Sequence, residues 1–468
     1  MSKLNSSSKV FVNRTLNMKR INYIGLDMDH TLVRYNSVNF ERLAHKTMLE
    51  KLVKIKGYPE KILTLPFSYE STIRGLVIDK NKGNLIKLSR YGAIRTSRHG
   101  LKPIDYDLQR KIYKSTYIDL GDPQYEAVDT AFSLSFATLF AQLVDLKSND
   151  TSCGQEIPEY PTIAEDLNQV LDSSHRDGSI KSVVKNNLSD YIIRDETLVH
   201  TIYRYLKHGK KFFIVTNSDF EYTKLLLDYA ISPFLQKGHT WLDIFDVVIT
   251  SAQKPRFFYD NLKYLKIDPK TGLMTNLGTD KITSGVYQGG CADQFTQDMG
   301  LEPDEILYVG DHIYGDILRL KKDCAWRTAL VVEEIEDEIK KNKEAAKYNA
   351  EISKFMEQKI PLERELDELI SQKIETGNSS KQSQIDELLK KVTDIDHKIS
   401  PLIKAQDEAH NSYWGELMRA GIEESYFAYQ VERFACIYMS RLTDLLEMSP
   451  RTYYRSHRRL MAHDLESV

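Results

Sequence analysis

The chain has 468 residues, 41% hydrophobic and 28% charged, enough to bury a sizeable core and to form more than one domain. A formal net charge of −3 lacks the basic excess of a nucleic-acid binder and leaves a small anionic substrate open. Cys153, Cys291, Cys324 and Cys436 form no C-x-x-C pair, which argues against a zinc module or disulfide framework and fits a reducing cytoplasm. The first residues carry no apolar stretch of signal-peptide length, and no segment approaches the length of a membrane span, so the expectation is a soluble cytoplasmic protein without nucleic-acid or membrane partners.

The first predicted element is a buried strand in INYIGLDMD, residues 21–29. It ends in Asp27 and Asp29, two carboxylates one residue apart, which repel unless a cation or a reaction employs them. Taken alone, a D-x-D has a bland competitor in the solvated turn or cap, because Asp suits loops. Residues 37–195 are too long for a single crossover and predict an inserted α+β cap domain. Three more apolar runs follow: KFFIVTNSD (211–219), DVVITSAQKP (246–255) and EILYVGDHIYGD (305–316), with AWRTALVV (325–332) as a fifth strand candidate. Such runs, with helical stretches between several of them, read as a parallel sheet whose site lies beyond its carboxyl ends. There the runs place Asp27, Thr216, Lys254 and Asp311.

From 335 to 405 the chain is rich in Lys and Glu, with apolar positions every three or four residues (Leu362, Leu366, Leu369; Ile385, Leu388, Val392, Ile395, Ile399) around TGNSSKQS. That is a helical hairpin, whose stripes must be covered by the chain itself or by another subunit. The aromatic run SYFAYQVERFACIYMS (425–440) reads as core. Residues 1–36 and 196–334 are thus expected to form the catalytic core, with 406–468 packing on it, 37–195 as the cap and 335–405 as the hairpin.

Together DMDHTL, VTNSD, QKP and VGDHIYGD resemble, in order, the four motifs of the haloacid dehalogenase superfamily. The stretches GLDMDHTLVRY, TNSDFEYT, KPRFF, YVGDHIYGDIL and WRT are similar to the cytosolic purine (IMP–GMP-specific) 5′-nucleotidases. The resemblance implies an α/β fold with a HAD-like Rossmannoid parallel-sheet core, and Mg²⁺-dependent hydrolysis of purine nucleoside 5′-monophosphates. Asp27 would be the nucleophile, forming an aspartyl-phosphate, and Asp29 the general acid–base. Mg²⁺ would be held by Asp27, the Asp29 backbone carbonyl and Asp311, with Asp316 as an outer or additional ligand. Thr216, Asn217 and Ser218 would bind phosphoryl oxygens, and Lys254 would offset charge. Taken alone, Lys254 would read as a surface lysine.

HRDGSIK (175–181) is similar to the family's His-x-x-Gly-Ser-Leu-Lys stretch, which makes Asp172, His175 and Lys181 substrate-binding candidates, with Phe132 as the aromatic that stacks on the base. The chain departs from the family at Asn168, where an arginine is expected; Arg176 is a candidate substitute. By spacing alone, Asp172 and His175 read first as a helix-surface pair. The family also implies a homo-oligomer, dimer or tetramer, and phosphotransfer to nucleosides. Two other functions remain open: a phosphatase for another phosphomonoester, and an inert scaffold.

Overall fold

A computed structural model describes residues 9–114, 117–150, 153–377, 380–458 and 461, apart from the side chain of Asp407. Outside the described residues lie 1–8 of the expected core, 115–116 and 151–152 of the expected cap, 378–379 of the polar loop, and 459–460 and 462–468 of the last segment. Ten strands form the main sheet: β1 (Val10–Val12), β2 (Tyr23–Leu26), β3 (Lys211–Val215), β4 (Val247–Thr250), β5 (Tyr264–Ile267), β6 (Met274–Asn276), β7 (Gly285–Gly289), β8 (Ile306–Gly310), β9 (Arg327–Val331) and β10 (Ile437–Met439). Their order is β1-β10-β9-β8-β2-β3-β4-β7-β5-β6. From β10 to β7 the neighbours run parallel, and the pairings beyond them, β1 on β10, β5 on β7 and β6 on β5, are antiparallel.

Every run predicted as a strand is one of the parallel set. Their side chains alternate between two apolar layers: Ile24, Leu26, Phe212, Ile214, Leu307 and Val309 enter one, and Tyr23, Phe213, Val215, Ile306 and Tyr308 enter the other. Burial on both faces is why these strands read as unbroken apolar runs. Gly25 opposes Phe213 on one neighbour and Tyr308 on the other. A Cβ at Gly25 would lie 2.3 Å from the Phe213 ring and 2.7 Å from that of Tyr308, so glycine lets both rings close over β2. The aromatic run at 425–440 is core: helix Tyr426–Phe434 buries Phe427 and Val431 and leads into β10.

Between β2 and β3 an antiparallel five-stranded sheet, in the order Lys102–Pro103, Ile94–His99, Asn84–Leu88, Leu76–Asp79, Tyr125–Ala127, packs with helices Ser37–Lys56, Leu134–Asn149 and Tyr160–Arg176. These elements have their own apolar cluster, including Met48, Leu52, Phe140 and Leu167, which Trp414 joins from the last segment. Helices Ile335–Thr376 and Gln382–Ala409 lie against each other, and Leu366, Leu369, Ile385 and Leu388 form a shared cluster that covers part of both stripes. Among the described residues no helix is long and apolar enough to cross a membrane.

Candidate active site

Four adjacent strands, β8, β2, β3 and β4, end at one place, and the residue chemistry follows from where each strand stops. β2 is the point where successive strands begin to be added on opposite sides, the position at which open α/β sheets leave a crevice. Asp27 follows β2 and is 9% exposed; its amide donates to the Val309 carbonyl at 2.8 Å and its Oδ1 accepts from the Met28 amide at 2.7 Å. Asp29 accepts from Tyr35 Oη at 2.6 Å and from Ser218 Oγ at 3.0 Å, so two hydroxyls fix its carboxylate. Tyr35 was not foreseen as a site residue, although it closes the IGLDMDHTLVRY stretch.

After β3, Thr216 is fully buried and its Oγ1 accepts from the Ser218 amide at 3.0 Å, so it sits beneath the loop. Asn217 braces that loop to the next: its Nδ2 donates to the Lys254 carbonyl at 3.0 Å, and the Lys254 amide donates to its Oδ1 at 2.6 Å. The β4 loop holds Ser251 at φ 44° and Gln253 at φ 60°, left-handed conformations uncommon for such residues and frequent at functional sites. Between them and the sheet, Lys254 Nζ lies 2.7 Å from Asp27 Oδ1, 2.6 Å from Asp316 Oδ1 and 3.1 Å from Tyr308 Oη. A surface lysine is therefore not what the fold makes of it: its side chain is 4% exposed. Gly310, the last residue of β8, permits this approach, since a Cβ there would lie 2.5 Å from Asp316 Oδ2.

Asp27, Asp311 and Asp316 each offer an oxygen within 4.8 Å of the others, all three buried. Burial and then the neighbouring Asp316 push the Asp311 carboxyl up to about 8 and lift Asp27 well above the carboxylate range. Burial opposes the charge of Lys254, but Asp27 and then Asp316 outweigh it and keep the ammonium protonated. One ammonium against three crowded carboxylates leaves negative charge that a hard divalent cation with oxygen ligands fits.

The site opens into a cavity of about 550 Å³. Asp27, Asp29, Asn217, Ser218, Lys254, Asp311 and Asp316 line it from the sheet, and Phe132, His175 and Lys181 face them from the inserted segment. Phe132 is edge-on to His30, ring centroids 4.6 Å apart, and 5.9 Å from His175. Burial, helped by Lys181, pulls the His175 imidazole down toward its neutral form. Lys181 Nζ reaches Asp219 Oδ2 at 2.6 Å, tying the insert to the loop after β3. Thr216 and Asp172 do not line the cavity. Asp172 is instead an exposed carboxylate paired with Arg176 Nη2 at 2.6 Å on its own helix, and it is Arg176 that borders the opening. Asn168 turns to Glu126, 3.1 Å away.

Paired aspartates, a lysine and a second acidic strand end meet around one crevice, an arrangement that suits a phosphohydrolase. The chain matches the 5′ nucleotidase family over residues 10–466 and belongs to that family, as a hydrolase of the 5′-nucleotidase class. A 5′-nucleotidase domain-containing protein of Dictyostelium discoideum is 26% identical over 443 residues, covering 93% of this chain and 71% of that protein. The human 5′-nucleotidase domain-containing protein 2 is 25% identical over 451 residues, covering 93% and 81%. Among solved structures, a haloacid dehalogenase-like hydrolase from Streptococcus pneumoniae is similar at TM-score 0.28 and 12% identity, covering 67% of this chain and 86% of that one. A HAD-hydrolase from Bacillus subtilis bound to magnesium gives TM-score 0.24 and 12% identity, covering 67% and 87%.

Proposed function

We propose that this 5′-nucleotidase hydrolyses purine nucleoside 5′-monophosphates, IMP and GMP before AMP, with Mg²⁺ and through an aspartyl-phosphate on Asp27. The observation that carries the reading is Asp27 in contact with Lys254, clustered with Asp311 and Asp316, at the floor of a nucleotide-sized cavity roofed by Phe132 and His175. Asp27, Asp311 and Asp316 would hold the cation, which supplies Lewis-acid neutralisation of phosphate charge so that one anion can approach another.

A carboxylate oxygen of Asp27 attacks phosphorus as the bond from phosphorus to the 5′-oxygen breaks, and protonated Asp29 gives its proton to that oxygen. Water then attacks phosphorus, Asp29 takes its proton, and the bond to Asp27 breaks, releasing phosphate. Tyr35 and Ser218 hold Asp29 in place for both transfers. Lys254 would offset charge, and Asn217, on the cavity wall, has a second amide N–H to offer a phosphoryl oxygen, whereas the single hydroxyl proton of Ser218 goes to Asp29. Thr216 supports their loop from below.

Phe132 would stack on the base, an interaction that tolerates any base and leaves selection to polar groups. His175 and Arg176 border the same space, and Asp172 acts through Arg176. A panel of nucleoside and sugar monophosphates, assayed with Mg²⁺ and with EDTA, tests the whole reading. IMP and GMP should turn over fastest, and EDTA should abolish phosphate release. Equal or faster turnover of a sugar phosphate would replace the substrate class while keeping the chemistry.

A further inference from the structure

Arg74 belongs to the inserted segment, far from every motif in sequence, yet its guanidinium is 2% exposed and lies directly behind the acidic cluster. Its Nη1 donates to the main-chain carbonyl of Asp311 at 3.1 Å. On its other side, Nε and Nη2 grip Glu334 as a fork, at 2.7 and 2.5 Å, and the guanidinium lies over the Phe427 ring with its carbon 5.3 Å from the centroid. Glu334 is the residue at which the long helix Ile335–Thr376 begins. One buried cation therefore joins the insert, the loop after β8 and the root of the helical hairpin. Its charge is felt in the DMDH loop too: burial and then Arg74 pull His30 down to about 3.

A carbonyl held from behind fixes the peptide plane that follows Asp311, and with it the direction of the Asp311 carboxylate toward Asp27 and Asp316. We propose that Arg74 is a positioning residue for the metal site, which sets the aim of Asp311 and makes cation affinity depend on the seating of the inserted segment. The inference rests on the metal reading above. It needs the fork and not the charge alone, because a lysine ammonium cannot hold both Glu334 and Asp311 in the planar geometry of a guanidinium. Outer partners of metal ligands are typically worth 10–100-fold in affinity or activity.

The test is a direct titration of the purified full chain with Mn²⁺, followed by electron paramagnetic resonance, alongside the Mg²⁺ concentration for half-maximal phosphate release. Arg74→Lys and Arg74→Ala should each weaken Mn²⁺ binding by about tenfold or more. The Mg²⁺ requirement should rise by a similar factor, and KM for nucleotide at saturating Mg²⁺ should change less. Glu334→Gln keeps Arg74 but loosens its fork and should shift affinity in the same direction by a smaller factor. If Arg74→Ala fails to fold by circular dichroism, Arg74→Lys and Glu334→Gln decide. Mn²⁺ affinity within twofold of the parent in the folded variants overturns the proposal; a parent chain that binds no Mn²⁺ overturns the metal reading beneath it.

Discussion

The floor and the roof of the cavity are built to different standards. On the floor, Lys254 is 4% exposed and touches Asp27, Asp316 and Tyr308, the Asn217 amide ties the loop after β3 to that after β4, and Ser218 ties it to Asp29. On the roof, Asp172 and Arg176 are 69% and 78% exposed and hold each other across one helical turn. Chemistry on phosphorus needs charges fixed to within a fraction of an ångström, and burial among backbone donors supplies that rigidity. On the proposed reading, recognition of a base tolerates looser partners, which would make the roof the part of this fold that can vary without loss of the reaction.

The contrast breaks most severely if the floor tolerates substitution. Asp27→Asn should abolish phosphate release while the thermal unfolding midpoint stays near that of the parent, because a neutral amide is a poor nucleophile and one crowded charge is removed. A variant that retained Mg²⁺-dependent turnover would show that the nucleophile is elsewhere. Asp29→Asn should cost on the order of 10²–10⁴ in kcat, the usual range for a lost general acid–base, with a smaller change in KM. An unchanged kcat would leave Tyr35 and Ser218 holding a carboxylate without a task.

Gly310→Ala probes the floor indirectly. The added Cβ would press on the Cβ and Cγ of Asp316 at 2.6 Å, so the whole side chain must move and not merely its tip. Metal affinity should drop about tenfold to a hundredfold, read by Mn²⁺ titration, with Lys254 losing one of its carboxylates. Here lies the boundary of what the sequence made legible. Asp27, Lys254 and Asp311 could be found because each follows an apolar run buried on both faces, and such runs announce themselves. Gly310, Tyr35 and Arg74 could not, since their roles depend on which strands become neighbours and which side chains cross between segments. The short strands β5, β6 and β7 escaped for a related reason: Tyr264–Ile267 pairs with a wholly exposed Met274–Asn276, and Gly285–Gly289 is framed by glycines, so neither shows an apolar run. The floor was readable because it is local to the strands; its bracing is long-range.

The inserted segment has a rigid interior behind its adaptable face, and pH separates the two. Glu41 is fully buried, with Oε2 accepting the Ser135 amide at 2.7 Å and Oε1 without a hydrogen-bond partner among the described residues. Burial pushes its carboxyl up to about 8 from an ordinary 4.5. The folded chain then keeps a proton that the unfolded chain releases, so this contribution to stability is fully present below about 4.5 and is lost as pH rises through about 8. Glu41→Gln keeps a neutral side chain of the same shape and should flatten the pH dependence of urea unfolding across that window. Identical pH profiles for variant and parent would mean that Glu41 is ionised in the fold.

The smallest effect is expected on the roof. In a buried pocket, a carboxylate facing the N1 hydrogen of a 6-oxopurine would discriminate against adenine by roughly 1–3 kcal/mol, because adenine presents a bare lone pair there. Asp172 is not in such a pocket: it lies outside the cavity lining, and water screens its pair with Arg176. Exposed pairs of this kind are worth about 1 kcal/mol or less. Asp172→Ala should therefore reduce the IMP-to-AMP ratio of kcat/KM by no more than about fivefold, through the freedom it gives Arg176. Phe132→Leu, by contrast, should weaken every nucleotide to a similar degree, because stacking does not choose among bases. A loss of selectivity far above fivefold in Asp172→Ala would show that the helix carrying it turns toward the base when nucleotide binds, so that the carboxylate becomes buried and reads N1 directly. The roof would then be as demanding as the floor once substrate is bound, and its exposure in the free enzyme would mark a surface that closes.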